Sequence, residues 1–509
     1  MKDSDNKKMP LAETAAEFAD GGRISFHVPG HKGNEKESGG LGRFFGKKVL
    51  SRDLTELTGL DDLHNADGVI KEAEERAAEL FGADQTFFLA NGTTSGIAAA
   101  IAAVSGEKNK VIMERCSHGC TTGGLIISGS SPYYIYDAYD AEAHIAGGIS
   151  ADEVKKALVM CENPSAVVLT HPSYYGVYSD IRAIVDAAHG SGVPVIVDEA
   201  HGAQMMFTGQ GIPSAMEAGA DISVQSTHKM LGSLTESSML HVQGDLVDRR
   251  RLKFFISLMT SSSPSYLLMS SLDAVRYDME SRGHETWQKL NRMIKEAADR
   301  IDNIKGIKCC RSFTGADGRR HDTEGSRLLV TARGLGLSGR ELESLLADDY
   351  RIDAEFSDLL YTVLLAGTGS NESDLEVLVS ALEDISQRFA GKSAEESALR
   401  DRLEMYDRFF SLTWSAELTP RAAVYADQAV LAPEAAEGRV SSSDISVYPP
   451  GIPAVRAGEV LTRDIIGYII DCAKLGFEFH GLAEYDESGA VKFFCAEDER
   501  DSMILGGYF

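Results

Sequence analysis

The chain has 509 residues, more than one hydrophobic core organises, so two or three domains are expected. Apolar residues make up 43% of it, as in a globular protein, and a formal net charge of −27 repels phosphate backbones, which excludes nucleic acid as a partner. The opening MKDSDNKKMP is charged, and no uncharged apolar stretch reaches the ~18 residues of a spanning helix, so neither a secretory signal nor a membrane anchor is expected.

In chain order, the first fifty residues read as irregular. HVPGHKGN at 27–34 sets two histidines four apart, but Pro29 and Gly30 oppose the helix that would put both on one face, so no metal is expected. From about Ser51 to Thr260, helical stretches alternate with short apolar runs: TFFLA at 86–90, KVIM at 110–113, AVVLT at 166–170, PVIV at 194–197 and ISVQS at 222–226. That alternation predicts an α/β fold with a mostly parallel sheet, whose functional groups gather at the carboxyl edge. A long helical stretch after Ser265 leads into IKCC, SRLLVTAR and YTVLLAG, which read as a smaller α/β domain. The expected bounds are an N-terminal segment 1–50, a large domain 51–264, a small α/β domain 265–390, a polar linker 391–404 and a C-terminal unit 405–509 containing YPPGIPAVRAGE. Seven cysteines, odd in number and without metal-ligand spacing, fit a reducing cytoplasm.

Three stretches carry chemistry. In VPVIVDEAHGAQ at 193–204, an apolar run ends in Asp198 and Glu199. Such a pair suits a nucleotide-driven helicase or an enzyme of pyridoxal phosphate, in which a strand-end carboxylate keeps the cofactor's pyridine nitrogen protonated. The helicase also needs GxxxxGK followed by Ser or Thr, and the chain has none. A different phosphate site is available in LANGTTSGIAAAI at 89–101, where glycines and hydroxyls open an alanine-rich helix. Taken alone, it reads equally as a helix cap. Downstream, DISVQSTHKM places Lys229 just past a short apolar run, where burial would lower its pKa and suit it to a Schiff base. Any lone lysine after a strand is more often a surface residue; the order of phosphate turn, strand-end Asp198 and Lys229 thirty-one residues later gives the set its weight.

With HVPGHKG, DLTELTGLDDLH, FFLANGTTSG, HPSYYGVYSD, VDEAHGA, STHKMLGSLTESS, SLMTSSSPSYLL and GRVSSSDISVYPPGIPAVRAGE, the chain resembles the bacterial ornithine/lysine/arginine decarboxylase family. The resemblance is to its shorter branch, with no separate regulatory domain before HVPGHKG. It implies an aspartate-aminotransferase-like fold, with a seven-stranded-type sheet in the large pyridoxal-phosphate domain, the smaller α/β domain and a C-terminal α+β domain. It also implies pyridoxal 5'-phosphate bound as a Schiff base to Lys229, with Asp198 as partner of the pyridine nitrogen. Thr93, Thr94, Ser95, Ser226 and His228 would surround the phosphate, His118 would stack on the ring, and His201 would lie beside it. Ser261 to Ser263 match a loop that reaches the neighbouring subunit's phosphate, which implies a homodimer or a dimer-based oligomer.

The implied reaction releases carbon dioxide from arginine, lysine or ornithine, as in polyamine synthesis. Lys229 or His118 would return a proton to the α-carbon. Glu355 is the first choice to meet the distal cation of a basic substrate, with Asp61 and Asp62 also in matching stretches; an exposed strand-edge glutamate accounts for Glu355 as well. An aminotransferase or side-chain lyase on the same fold would use the same cofactor residues, and the sequence leaves the choice among the three basic amino acids open.

Overall fold

The structure is a computed structural model, and it describes residues 8–315, 318–390, 403–404, 407–448 and 451–497. Residues 391–402 of the expected linker, and Pro449 and Pro450 of YPPGIP, lie outside the described residues. The chain divides into two compact units, each drawn from separated stretches. The first takes residues 1–104, 181–292 and 366–370; the second takes 105–180, 293–365 and 371–509.

Seven strands make the large sheet: β1 (Gln85–Leu89), β2 (Lys110–Glu114), β3 (Ser131–Ile135), β4 (Pro164–Thr170), β5 (Val195–Asp198), β6 (Ile222–Gln225) and β7 (Ser238–Val242). Five coincide with the apolar runs named above. β3 and β7 escape that reading for different reasons. Only Ile135 of β3 is fully buried, and Pro132 interrupts its donors, the composition of an edge strand. β7 is buried throughout but carries Ser238 and His241. His241 is accommodated neutral: burial pushes its pKa down to about 3, Nδ1 accepts from Thr86 Oγ1 at 2.8 Å, and Nε2 donates to Gln225 Oε1 at 3.2 Å.

In the first unit the strand order is β1-β7-β6-β5, with β5 and β6 parallel and β7 reversed against both its neighbours. The reversal matters for the site. It brings the start of β7 to the edge where β1 and β6 end, pairing Leu89 with Ser238 and Gln225 with Met239. In the second unit β4, β2 and β3 run parallel in that order.

The first fifty residues are more regular than expected. Pro10 opens helix α1 (Pro10–Asp20), which buries Leu11 and Ala15. The Leu11 and Ala12 amides donate to Asp273 Oδ2, and Asp273 in turn holds the buried Arg276 at 2.8 Å. A second helical stretch covers Gly39–Leu50, kinked at Gly46. Helix α2 (Val69–Phe81) buries Ile70, Ala73, Ala77 and Phe81 along one face. Asp61 fixes its start, because its carboxylate accepts from the amides of Asp62, Asp67, Gly68, Ile70 and Lys71. Asp62 caps the turn that follows, accepting from the His64 amide. Both carboxylates therefore have backbone partners that account for them without a ligand. Helix α3 (Gly92–Val104) follows β1 and is buried along most of its length.

The second unit adds an antiparallel sheet of β8 (Lys308–Cys310), β9 (Arg327–Thr331), β10 (Phe356–Ser357) and β11 (Thr362–Leu365), in the order β8-β9-β11-β10. Near the C-terminus, β12 (Ile445–Tyr448) pairs with β13 (Ile452–Val455) and β14 (Glu478–His480). These strands share a core with helix α4 (Arg463–Lys474) through Ile445, Val455, Ile465 and Ile469.

The AVRAGE stretch just past β13 supplies two fully buried charges that need partners. Arg456 donates to the Ser117 carbonyl at 2.6 Å, to Ser117 Oγ, to the Arg115 carbonyl and to the hydroxyls of Thr121 and Thr122. Glu459 Oε2 accepts from Arg115 Nη2 at 2.8 Å and from the Arg456 amide at 2.7 Å. Arg115 also donates to the Pro453 and Ala454 carbonyls and lies over the Trp414 ring. Losing one member leaves the others buried and uncompensated. Arg456→Met should accordingly lower stability by about 3–5 kcal/mol, read as a fall in the midpoint of urea unfolding.

Candidate active site

At the end of β1, Gly92 turns the chain into α3 with φ +73°, in the left-handed region that favours glycine. One turn on, a Cβ at position 96 would come within 2.6 Å of Leu89 Cδ1 and 2.7 Å of Val224 Cγ1. Glycine there lets α3 pack close on the sheet. The hydroxyls of Thr93-Thr94-Ser95 then diverge. Thr93 Oγ1 lies 2.6 Å from Ser226 Oγ and donates to Ser238 Oγ at 3.2 Å; Ser95 donates to the Gly92 carbonyl; Thr94 is exposed. Ser226 stands at the end of β6 and Ser238 at the start of β7, so three chain segments place three buried hydroxyls at one edge. Together with the first amides of α3, this is a surface made of donors and suited to an anion. Ser238 was missed in the sequence because the strand carrying it was missed.

Lys229 sits in the single helical turn Thr227–Met230 that follows β6. It is half-buried, and its Nζ donates to His201 Nε2 at 3.1 Å. The structure thus joins two of the expected residues directly. His228 Nδ1 donates to the Ser237 carbonyl at 3.0 Å, which ties the lysine turn to the start of β7.

Asp198 closes β5 and is buried, with Oδ1 accepting from the Ala200 amide. Its neighbour Glu199, fully buried, faces other partners. Glu199 Oε1 accepts from the Ala215 amide at 2.8 Å, and Oε2 accepts from Ser223 Oγ at 2.6 Å and Gln225 Nε2 at 2.8 Å. Burial outweighs these three donors and lifts its pKa to about 7. Side-chain alternation at the strand end separates the pair. Glu199 braces β5 against β6, whereas Asp198 belongs to the edge where the hydroxyls and the lysine lie.

In the second unit, His118 follows β2 on the segment that Arg456 holds. Its Nδ1 accepts from the Cys120 amide at 3.1 Å, and its carbonyl accepts from Thr121 Oγ1. The arginines behind it went unread in the sequence, although charge inside an otherwise apolar stretch is a signal for a buried partner. Glu355, at the approach to β10, is exposed, and its amide donates to the Val363 carbonyl. Its charge acts on the buried Arg327, a structural account that needs no ligand. Ser261 to Ser263 form an exposed loop whose Ser261 carbonyl accepts from His64 Nε2 at 2.8 Å.

Residues 9–319 match the family model described as Orn/Lys/Arg decarboxylase, major domain, and residues 401–496 match its C-terminal domain. The chain is 35% identical over 458 residues to the arginine decarboxylase of Bacillus subtilis (strain 168), covering 90% of this chain and 92% of the relative. It is 34% identical to the arginine decarboxylase of Halalkalibacterium halodurans, covering 94% and 96%. It is also 29% identical to a lysine decarboxylase of Pseudomonas aeruginosa, over 53% of this chain and 40% of the relative. Among solved structures, the constitutive lysine decarboxylase of Escherichia coli aligns with a TM-score of 0.81 at 20% identity, over 96% of this chain and 82% of that one. That likeness is one of fold, and it agrees with the α/β architecture expected from the sequence.

The three donors around Glu199 make it a test of the division between the two acids. Glu199→Gln would turn an amide NH2 toward groups that all donate, and should destabilise the protein by about 1–3 kcal/mol in a denaturant titration.

Proposed function

The chain belongs to the Orn/Lys/Arg decarboxylase family, and we propose that it converts L-arginine to agmatine and carbon dioxide with pyridoxal phosphate carried on Lys229. Family membership makes it a carboxy-lyase of basic amino acids. The choice of arginine rests on one observation: the arginine decarboxylases above are 34–35% identical to this chain, whereas the lysine decarboxylase of P. aeruginosa is 29% identical and the inducible lysine decarboxylase of E. coli 23%.

The cofactor fits the residues present. The hydroxyls of Thr93, Ser226 and Ser238 and the first amides of α3 suit a phosphate, and Lys229 lies on the turn directly after Ser226. When bound, pyridoxal phosphate supplies an electron sink for the pair left behind as the carboxylate departs. Asp198 would keep the pyridine nitrogen protonated. His201 orients the Lys229 amine through their hydrogen bond and can exchange a proton with it. After carbon dioxide leaves, a proton must reach the α-carbon, and Lys229 or His118 would carry it. Arg456 holds the segment that carries His118 through the Ser117 carbonyl on one side and the Thr122 hydroxyl on the other.

Two observations support a homodimer. Ile24, Phe26 and Phe44 of the N-terminal segment are 86%, 94% and 81% exposed, more apolar surface than a lone chain usually leaves uncovered. The Ser261–Ser263 loop is also open to a neighbour. A reducing, cytoplasmic setting agrees with seven cysteines of which none is in a disulfide. Among the described residues no helix is long and apolar enough to cross a membrane.

Offered arginine, lysine and ornithine in turn, the purified enzyme should release carbon dioxide fastest from arginine; a clear preference for another amino acid would overturn the assignment. Borohydride reduction should fix the cofactor's mass on the peptide containing Lys229. Lys229→Ala should lose that mass and slow turnover by on the order of 10²–10⁴-fold or more.

Sedimentation should show a dimer or a multiple of it, with activity lost on dilution to monomer. A fully active monomer would reject the shared-site reading.

A further inference from the structure

A cavity of about 90 Å³ lies within the second unit, several times the ~10–15 Å³ that admits one water. Aromatic side chains form much of its wall: Tyr174, Phe409, Phe410, Tyr468 and Phe477. Its acidic end is made by Glu114, the last residue of β2, and Asp137, two residues beyond the end of β3. These strands are parallel neighbours, so both carboxyl groups emerge at the same edge. They hydrogen-bond to each other, and the Cys116 thiol hydrogen-bonds to Asp137.

What the pair lacks, among the described residues, is a cation. Arg115, adjacent in sequence, turns its guanidinium to Glu459 and to two carbonyls instead. Glu114 Oε2 accepts from the Thr170 amide at 2.8 Å, but Asp137 Oδ2 is buried without a hydrogen-bond partner among the described residues. The third carboxylate on the wall, Asp358, is different: Tyr175 donates to it at 2.6 Å, and the amides of Leu360 and Tyr361 donate as well. Of the other titratable groups there, Tyr468 and Cys472 hydrogen-bond to each other. Burial and the neighbouring Asp137 push the Glu114 carboxyl well above its ordinary range, so the two acids share a proton where a cation would otherwise stand.

We propose that this cavity is a binding site for an alkylguanidinium, its planar head between Glu114 and Asp137 and its carbon stem along the aromatic wall. A guanidinium presents paired N–H groups to two carboxylates at once, and ring faces favour a cation stripped of water. Entry of the cation displaces the shared proton. The site stands apart from the decarboxylation reading, because none of its groups is assigned to the reaction at Lys229.

Butylguanidinium, which has neither an α-amine nor a carboxylate, separates the two. Titrated calorimetrically into the holoenzyme at pH 7, it should bind saturably. Comparing two buffers of different ionisation heat should show about one proton released per cation. Glu114→Gln and Asp137→Asn should each weaken binding about tenfold and abolish the proton release, and Phe410→Leu should weaken binding while leaving the release in place. The buffer comparison needs no variant, so it stands even if a substitution fails to fold. Absence of saturable binding, binding without proton release, or equal affinity in folded Glu114→Gln and Asp137→Asn variants would overturn the site. A failed arginine assay would leave it untouched.

Discussion

Two arginines and a glutamate, all fully buried, decide where the His118 segment can lie. Arg115 leaves the end of β2, Arg456 and Glu459 leave the end of β13, and the two chain segments meet through charge and backbone carbonyls. An arrangement of this kind adds little stability over well-packed apolar side chains, because the desolvation of each ion offsets most of the attraction. What it does impose is register. A shift of either segment by one residue would strand a charge in the interior, so a few tightly coupled groups define the loop carrying His118.

The DEAH letters illustrate the same principle on a smaller scale. Two adjacent carboxylates at a strand end cannot share an environment, since successive side chains face opposite sides. Glu199 is consumed by Ala215, Ser223 and Gln225, and Gln225 continues to His241 and Thr86. This chain of buried polar groups stiffens the middle of the sheet. Asp198 is left at the edge with the lysine turn and the hydroxyls.

Legibility in the sequence followed the type of signal. Five strands of the large sheet show as apolar runs because they are buried on both faces, while β3 at the edge and β7 with its histidine break that pattern. Helix α1 passed as loop because it is short and its first amides are satisfied by Asp273, more than 260 residues away, which no local pattern records. Lys229, Asp198, Thr93 and Ser226 were legible because glycine turns and strand ends mark them locally. Ser238, Arg456 and Glu459 were not, because their roles depend on partners that only the folded chain brings near. Asp61 invited a ligand reading from its charge and its matching stretch, and five backbone amides account for it instead.

The reversed strand β7 has a consequence for the order of events during folding. The Thr93 hydroxyl meets Ser226 across 133 residues of chain and Ser238 across 145. Contacts of such separation form only after long loops have closed, and are among the last a chain acquires. A nascent or partly folded chain therefore has Lys229 but not yet the cluster of the Thr93, Ser226 and Ser238 hydroxyls. Any ligand held only by the finished sheet would draw late intermediates toward the native state by mass action.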